Sequence, residues 1–307
     1  MFIYKYNYAE HNEQLVKCEM ESIFKQEIAT DTIFTDYNIS PNKSYFINYK
    51  IEIMCSDVDI QQLLVKINDM NLYYEKFKIE FIDVKTAVME YKERIGYCIQ
   101  IADLIDGYGI MSNPDYTFVV TRINGMWYFG ELTRNNRRFE LHQDKPHSYS
   151  NAMSCELSRS LINILCEQDM PTIIDPCCGI GTVVIEALSQ GYDIEGTEMN
   201  VFIAEKASQN LEFLKLKNVI KNQDMHDISK VYDVAILDIP YGLMSSTSTE
   251  LQTGLISKCY EISSRMLLVA SEPSEDLVAN TQWNIEKQIT APKANSKFER
   301  YIYILNK

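Results

Sequence analysis

The sequence is short of the residues that build metal sites and disulfide frameworks. It has only four histidines, none at zinc-ligand spacing, and its eight cysteines (18, 55, 98, 155, 166, 177, 178 and 259) include no Cys-x-x-Cys pair. No metal is expected, and the thiols read as reduced and mostly buried. No apolar run approaches the ~20 residues of a membrane span. The first residues, Met1-Phe2-Ile3-Tyr4-Lys5-Tyr6, lack the basic region and apolar core of a signal peptide. The reading is a cytoplasmic protein with no membrane partner. Positive charge is scarce too: 29 Lys and Arg face 43 Asp and Glu, for a formal charge of -14. Residues 1–150 carry 16 against 22 and residues 151–307 carry 13 against 21, so neither half is basic. This balance opposes a nucleic-acid partner, because phosphate is normally met by a Lys/Arg surface. Internal repeats and low-complexity tracts are absent, with Ser245-Ser246-Thr247-Ser248-Thr249 the one polar run.

What is present suits a soluble globular protein. The 307 residues, 46% hydrophobic and 23% charged, are enough for two domains with real cores. One stretch runs against the overall charge: Arg134-Asn135-Asn136-Arg137-Arg138, followed by His142, Lys145 and His147. Arg134, Arg137, Arg138 and Lys145 form either a narrow phosphate track or the solvated face of a linker.

The second half alternates strand and helix patterns as a doubly wound α/β domain does. A lead-in helix at 157–166 precedes strands at 172–175, 193–198, 219–223, 233–238 and 266–271, with helices at 181–190, 200–215, 251–264 and 273–280. The last two strands, 283–289 and 300–306, have no helix between them, which predicts an antiparallel hairpin at the sheet edge. The first half reads as α+β, with helices at 12–24, 59–68 and 91–104 and a strand at 44–55. Strands at 117–121 and 127–130 are joined there by an Asn124-Gly125 hairpin turn. The boundaries drawn are an N-terminal domain over 1–132, a linker over 133–150 and an α/β domain over 151–307.

Two segments carry chemistry. Asp175-Pro176-Cys177-Cys178-Gly179-Ile180-Gly181-Thr182 follows a buried strand and opens a helix, where glycines let a ligand approach the backbone. Asp238-Ile239-Pro240-Tyr241-Gly242 closes a second apolar strand, so both open at the carboxyl edge of one parallel sheet, where such sheets bind ligands. Together they look like the cofactor and catalytic loops of an S-adenosylmethionine-dependent amino-methyltransferase. Gly179 and Gly181 let the loop pack under the amino-acid end of the donor, and Asp175 accepts from its ammonium directly or through water. Glu198, 23 residues on, sits where an acid meets ribose hydroxyls. Asp224 is placed to accept from the adenine amine, with Met225 against the ring. At the acceptor, Asp238 and the carbonyl of Ile239 or Pro240 can both take N–H bonds from an exocyclic amine, drawing its lone pair out of conjugation. Pro240 fixes the turn and Tyr241 stacks on the base.

Other readings stand beside these. A glycine-rich turn also serves nicotinamide and flavin enzymes, although this one lacks Gly-x-Gly-x-x-Gly and the second motif is foreign to a dehydrogenase. Adjacent Cys177 and Cys178 suggest redox work, but small apolar side chains packed under a tight turn are the blander reading and the one preferred. Tyr241 could be core behind a capped strand end.

Residues 114–307 resemble the THUMP-linked tRNA guanine-N2 methyltransferases. The resemblance rests on Asn113-Pro114-Asp115-Tyr116-Thr117, Tyr128-Phe129-Gly130, Lys145-Pro146-His147-Ser148-Tyr149-Ser150 and the two segments above, the second extended to Leu243. It implies a Rossmann-like class I methyltransferase domain behind an N-terminal α+β, THUMP-like domain that grips tRNA or another RNA. It also implies S-adenosyl-L-methionine as cofactor, a lead-in including Ser148 that helps bind it together with Cys177, Thr182 and Asp238, and catalysis by the Asp-x-Pro-Tyr loop. The family usually has Pro-Phe-Cys-Gly-Thr-Gly and often Asp-Pro-Pro-Tyr; neither difference here removes a polar contact. The expected product is a guanosine methylated on N2. An N6-adenine methyltransferase, or a non-catalytic RNA-binding subunit that keeps the fold, are the alternatives. The sequence assigns no protein partner subunit.

Overall fold

The computed structural model describes residues 1–84, 89–149, 152–165, 170–239, 249–292 and 299–307. The chain divides into two compact units that do not follow its linear order. The first comprises Met1–Asn7, Ala29–Pro41 and Ile47–Asn136; the second comprises Tyr8–Ile28, Asn42–Phe46 and Arg137–Lys307. Helix α1 (Glu13–Phe24) therefore belongs to the second unit, unlike the continuous 1–132 domain read from the sequence. The stretch read as a linker also carries structure. Arg138–Asp144 is a 3-10 helix whose Phe139 is buried with Tyr45 and Cys155.

The first unit is built on strands β1 (Phe2–Tyr6), β2 (Thr32–Thr35), β3 (Ile47–Asp57), β4 (Tyr73–Ile82), β5 (Asp106–Gly109), β6 (Tyr116–Ile123) and β7 (Met126–Arg134). They form one mixed sheet in the order β2-β1-β3-β7-β6-β4-β5, parallel only where β4 meets β5 and β6. Helices α2 (Ile60–Asp69) and α3 (Tyr91–Ala102) bring Leu63, Ile67 and Ile101 onto Phe77, Phe118, Trp127 and Phe129. The β6–β7 turn is the hairpin expected of Asn-Gly, with φ of 48° at Asn124 and 85° at Gly125, the two positive values a type I′ turn requires.

In the second unit, helix α4 (Cys155–Leu165) precedes β8 (Ile173–Asp175), α5 (Thr182–Ser189), β9 (Ile194–Glu198), α6 (Val201–Phe213), β10 (Ile220–Asn222) and β11 (Tyr232–Asp238). After them come α7 (Thr249–Ile262), β12 (Ser263–Ala270), α8 (Glu275–Ala279), β13 (Asn284–Pro292) and β14 (Glu299–Asn306). The sheet order is β10-β9-β8-β11-β12-β14-β13, with the first five strands parallel. The antiparallel hairpin predicted for the chain end is present, and β14 inserts between β12 and β13. Apolar runs such as Val234-Ala235-Ile236-Leu237 are buried because helices cover both faces of a parallel sheet.

Helix α4 is buried on its polar side as well, and that recruits α1. Buried Glu19 of α1 accepts from Ser160 Oγ at 2.8 Å and Asn163 Nδ2 at 2.7 Å, while Leu15 and Cys18 join the core with Leu157 and Leu161. Burial pushes the Glu19 carboxyl up, so the hydrogen bonds offset part of its desolvation. Beside it, buried Arg159 donates to Glu186 Oε2 at 2.9 Å and to the carbonyls of Lys43 at 2.9 Å and Asn42 at 2.7 Å. His142 Nδ1 lies 2.8 Å from the other Glu186 oxygen. Residues 42–46 are thereby tied to the second unit. Arg159→Met leaves Glu186 buried without its main partner and should cost about 3–5 kcal/mol. Urea unfolding followed by Trp283 fluorescence in a Trp127→Phe background measures this. Adding Glu186→Leu should recover much of the loss, and a single-variant cost below about 1 kcal/mol would contradict the pairing.

Candidate active site

Parallel strands in register deliver their carboxyl ends to one edge. Asp175 ends β8, Glu198 ends β9, Asp224 follows β10 and Asp238 ends β11. All four line a single cavity of about 560 Å³ in the second unit.

The β8–α5 turn is held by its neighbours. Cys178 N–H donates to the Thr197 carbonyl at 2.9 Å, and Thr197 Oγ1 donates to the Pro176 carbonyl at 2.8 Å. Gly179 has φ of 54°, its N–H donates to Glu198 Oε2 at 3.2 Å, and a Cβ there would lie 2.7 Å from the Tyr149 hydroxyl. Gly181, with φ of 80°, caps α5 instead of lining the cavity. The other Glu198 oxygen accepts from Asn200 N–H at 2.8 Å, and Asn222 Nδ2 donates to the Glu198 carbonyl at 2.9 Å. Asp224 Oδ1 accepts from His226 N–H at 2.9 Å, and Met225 is buried beside it, with the Cys177 thiol 3.6 Å from its sulfur. Ile239 N–H bonds the Val269 carbonyl at 3.0 Å, extending the β11–β12 pairing past Asp238.

Of the expected cofactor residues, Asp175, Cys177, Gly179, Thr182, Glu198, Asp224, Met225 and Asp238 line the cavity, whereas Ser148 and Gly181 do not. Pro240 and Tyr241 lie outside the described residues. Several lining residues were not singled out from the sequence: Tyr149, Met153, Met199, Ile203, Gln223 and His226, with Leu251 and Leu255 from α7. Tyr149 lies inside the Lys145-to-Ser150 motif and Met199 next to Glu198, so the sequence carries a signal for both. Leu251 and Leu255 had none, because helical leucines in an amphipathic run read as core.

Of the four expected RNA contacts, Arg134 is ion-paired with Glu80 at 2.5 Å and Arg137 with Glu140 at 2.6 Å. Lys145 reaches the Cys155 sulfur at 3.6 Å. Arg134 falls in the first unit, while Arg137, Arg138 and Lys145 fall in the second.

The cavity favours a cation. Burial, then the charge of Asp238, pushes the Asp175 carboxyl well above the usual carboxylate range, against the pull of the Cys177 N–H. Four carboxyl groups around one space suit a sulfonium and an ammonium. The buried Thr182 hydroxyl has no hydrogen-bond partner among the described residues and is available to a ligand. The residues present thus fit S-adenosylmethionine.

Burial and the surrounding carboxylates push the Cys177 and Cys178 thiols up. Cys178 packs 3.1 Å from where a Gly196 Cβ would stand, as a small apolar side chain would. Native protein treated with iodoacetamide at neutral pH should leave both unmodified by peptide mass spectrometry, since the thiolate is the reactive form. Rapid alkylation of either would reopen a redox or nucleophilic reading.

Comparison with known proteins agrees with this architecture. Residues 143–271 match the UPF0020 family, described as an RMKL-like methyltransferase domain. The chain is 28% identical over 116 residues to the tRNA (guanine(10)-N2)-dimethyltransferase of Methanothermobacter thermautotrophicus, covering 36% of this chain and 34% of that protein. It is 25% identical over 224 residues to the enzyme of the same name from Pyrococcus abyssi, covering 67% of each. The chain thus spans about a third of the first relative's length and two thirds of the second's. The crystal structure of TrmN from Thermus thermophilus shares the fold, with a TM-score of 0.52 at 11% identity over 100% of this chain and 99% of that one. These matches support the resemblance to tRNA guanine-N2 methyltransferases, and the fold is the Rossmann-like class I methyltransferase fold.

Proposed function

We propose that this chain, through the methyltransferase domain of its second unit, methylates the exocyclic N2 amine of a guanosine in tRNA, in the cytoplasm. The observation that carries the reading is the convergence of Asp175, Glu198, Asp224 and Asp238 on one cavity in a methyltransferase fold. When bound, S-adenosylmethionine supplies a methyl group activated by its sulfonium. Asp175 takes its ammonium, Glu198 its ribose hydroxyls and Asp224 its adenine amine, with Met225 against the ring. Asp238 and the Ile239 carbonyl accept the two N–H bonds of the guanine amine, which frees the nitrogen lone pair and gives the departing proton a place to go. Pro240 and Tyr241 complete the acceptor loop, the tyrosine stacking on the base. The first unit acts as a THUMP-like RNA-binding module. Arg134, Arg137, Arg138 and Lys145 contribute phosphate contacts after exchanging their present partners.

Incubation with labelled cofactor and unmodified tRNA, followed by nucleoside mass spectrometry, should yield N2-methylguanosine. N6-methyladenosine instead would favour the runner-up chemistry, and no incorporation at low salt would remove the enzymatic reading. Asp238→Ala should leave affinity for S-adenosylhomocysteine within about threefold and lower transfer by at least ~10²-fold. A parallel loss of binding would show that Asp238 serves the donor instead.

Asp175 predicts a pH dependence. Because its folded pKa is raised, its contribution to the stability of the cofactor-free protein is present at low pH and lost as pH rises through that pKa. The ligand's ammonium needs the carboxylate, so affinity should rise with pH over the same window and binding should release a proton. Calorimetry in buffers of different ionisation enthalpy measures the release, and Asp175→Asn should abolish it. Release that persists unchanged in the variant would assign the proton elsewhere.

A further inference from the structure

We infer that Asn210 is a positioning residue for the donor loop, closing a hydrogen-bonded clasp between the lead-in segment and the glycine-rich turn. The inference rests on the functional reading above and extends it to a side chain outside the cavity wall. Asn210 lies on α6, fully buried. Its Oδ1 accepts from His147 N–H at 2.9 Å. Its Nδ2 donates to the His147 carbonyl at 3.0 Å and to the Ile180 carbonyl at 3.0 Å. Both amide hydrogens and the oxygen are thus used on backbone groups of two separate segments. Ile180 belongs to the donor loop and lines the cavity, and so does Tyr149, two residues beyond His147.

The connection returns on itself. Tyr149, two residues beyond His147, comes back to the donor loop at Gly179, so the path runs Asn210, His147, Tyr149, Gly179, Ile180 and back to Asn210. The Tyr149 hydroxyl stands against Gly179, where a Cβ would come within 2.7 Å. The neighbouring Gln209 adds an exposed clasp, its Oε1 lying 2.6 Å from His147 Nε2. A carboxamide is the group for this position, because it must donate twice and accept once. Aspartate has the same shape but no donor, and it would set a carboxylate oxygen against two carbonyl oxygens. Loss of the clasp would free Tyr149 and Ile180 from the cavity wall while leaving Asp175, Glu198, Asp224 and Asp238 on their strands. The expected defect is therefore in holding the cofactor, not in the transfer itself.

The test is the full chain carrying Asn210→Asp or, separately, Gln209→Ala, each checked for native near-ultraviolet circular dichroism. Calorimetry reads affinity for S-adenosylhomocysteine, and initial rates separate KM from kcat. Asn210→Asp should weaken binding roughly tenfold or more and raise the cofactor KM to match, with kcat at saturation within about threefold. Gln209→Ala, an exposed change that spares the fold, should move Kd about two- to threefold the same way. It decides the matter alone if Asn210→Asp does not fold. Unchanged affinity in the deciding variant, or a fall in kcat at constant KM, overturns the positioning role. Wild-type protein that fails to bind S-adenosylhomocysteine overturns the functional reading, and this inference with it. Normal wild-type binding with an unaffected variant overturns only the inference.

Discussion

Five parallel strands must end on the same edge, and in this protein that rule gathers four carboxyl groups around one cavity. Strand pairing places them there regardless of their mutual repulsion. Asp175 bears the consequence most directly: it is buried, close enough to feel the charge of Asp238, and relieved mainly by one backbone N–H. A cation placed among these groups gains from all of them and restores a normal environment to the buried one. Much of the surrounding structure keeps this edge in shape. The turn is bonded to β9, Glu198 is held by backbone N–H groups of Gly179 and Asn200, and Gly196 leaves room for Cys178 beneath the loop.

The same constraint explains why the second unit could be read so far from sequence. A strand buried on both faces is a short apolar run, and two such runs end in an acid with a reason to be at a carboxyl end, Asp175 and Asp238, while Glu198, at the end of the less apolar β9, was legible from its spacing beyond Asp175. The first unit offered less. Strand β4 exposes or half-exposes most of its side chains, and edge strand β5 is Asp-Gly-Tyr-Gly, so neither carries a clear period of two. Placing α1 in the second unit had no local signal. Its decisive polar contacts, Glu19 with Ser160 and Asn163, join residues 141 and 144 positions apart. An amphipathic helix announces that it has a partner, not which one.

At the site, residue type was easier to read than geometry. Glycine at 179 and 181 signals a turn, yet only the fold separates their work: Gly179 makes room for Tyr149, while Gly181 supplies a left-handed cap for α5. Ser148 and Tyr149 sat in one motif, and it is the tyrosine that reaches the cavity. The clasp at Asn210 was out of reach, because a lone asparagine in a helix has no pattern. Its meaning comes from two backbone segments that meet there.

If the chain acts on RNA as proposed, its acidity bears on how that substrate would be held. Each phosphate contact gains from the release of condensed counterions, but only if the protein cation is free to neutralise it. Arg134 and Arg137 already pair with Glu80 and Glu140, so a phosphate must displace a carboxylate before the contact counts. Exposed pairs of this kind are individually weak, at roughly 0–1 kcal/mol, and the exchange is therefore feasible. Its net gain is smaller than that of an unpaired arginine, and the freed carboxylate remains nearby to repel the phosphate. On the proposed function, electrostatics gives RNA little net attraction, and recognition would draw more on shape, stacking and the fit of one base at Asp238.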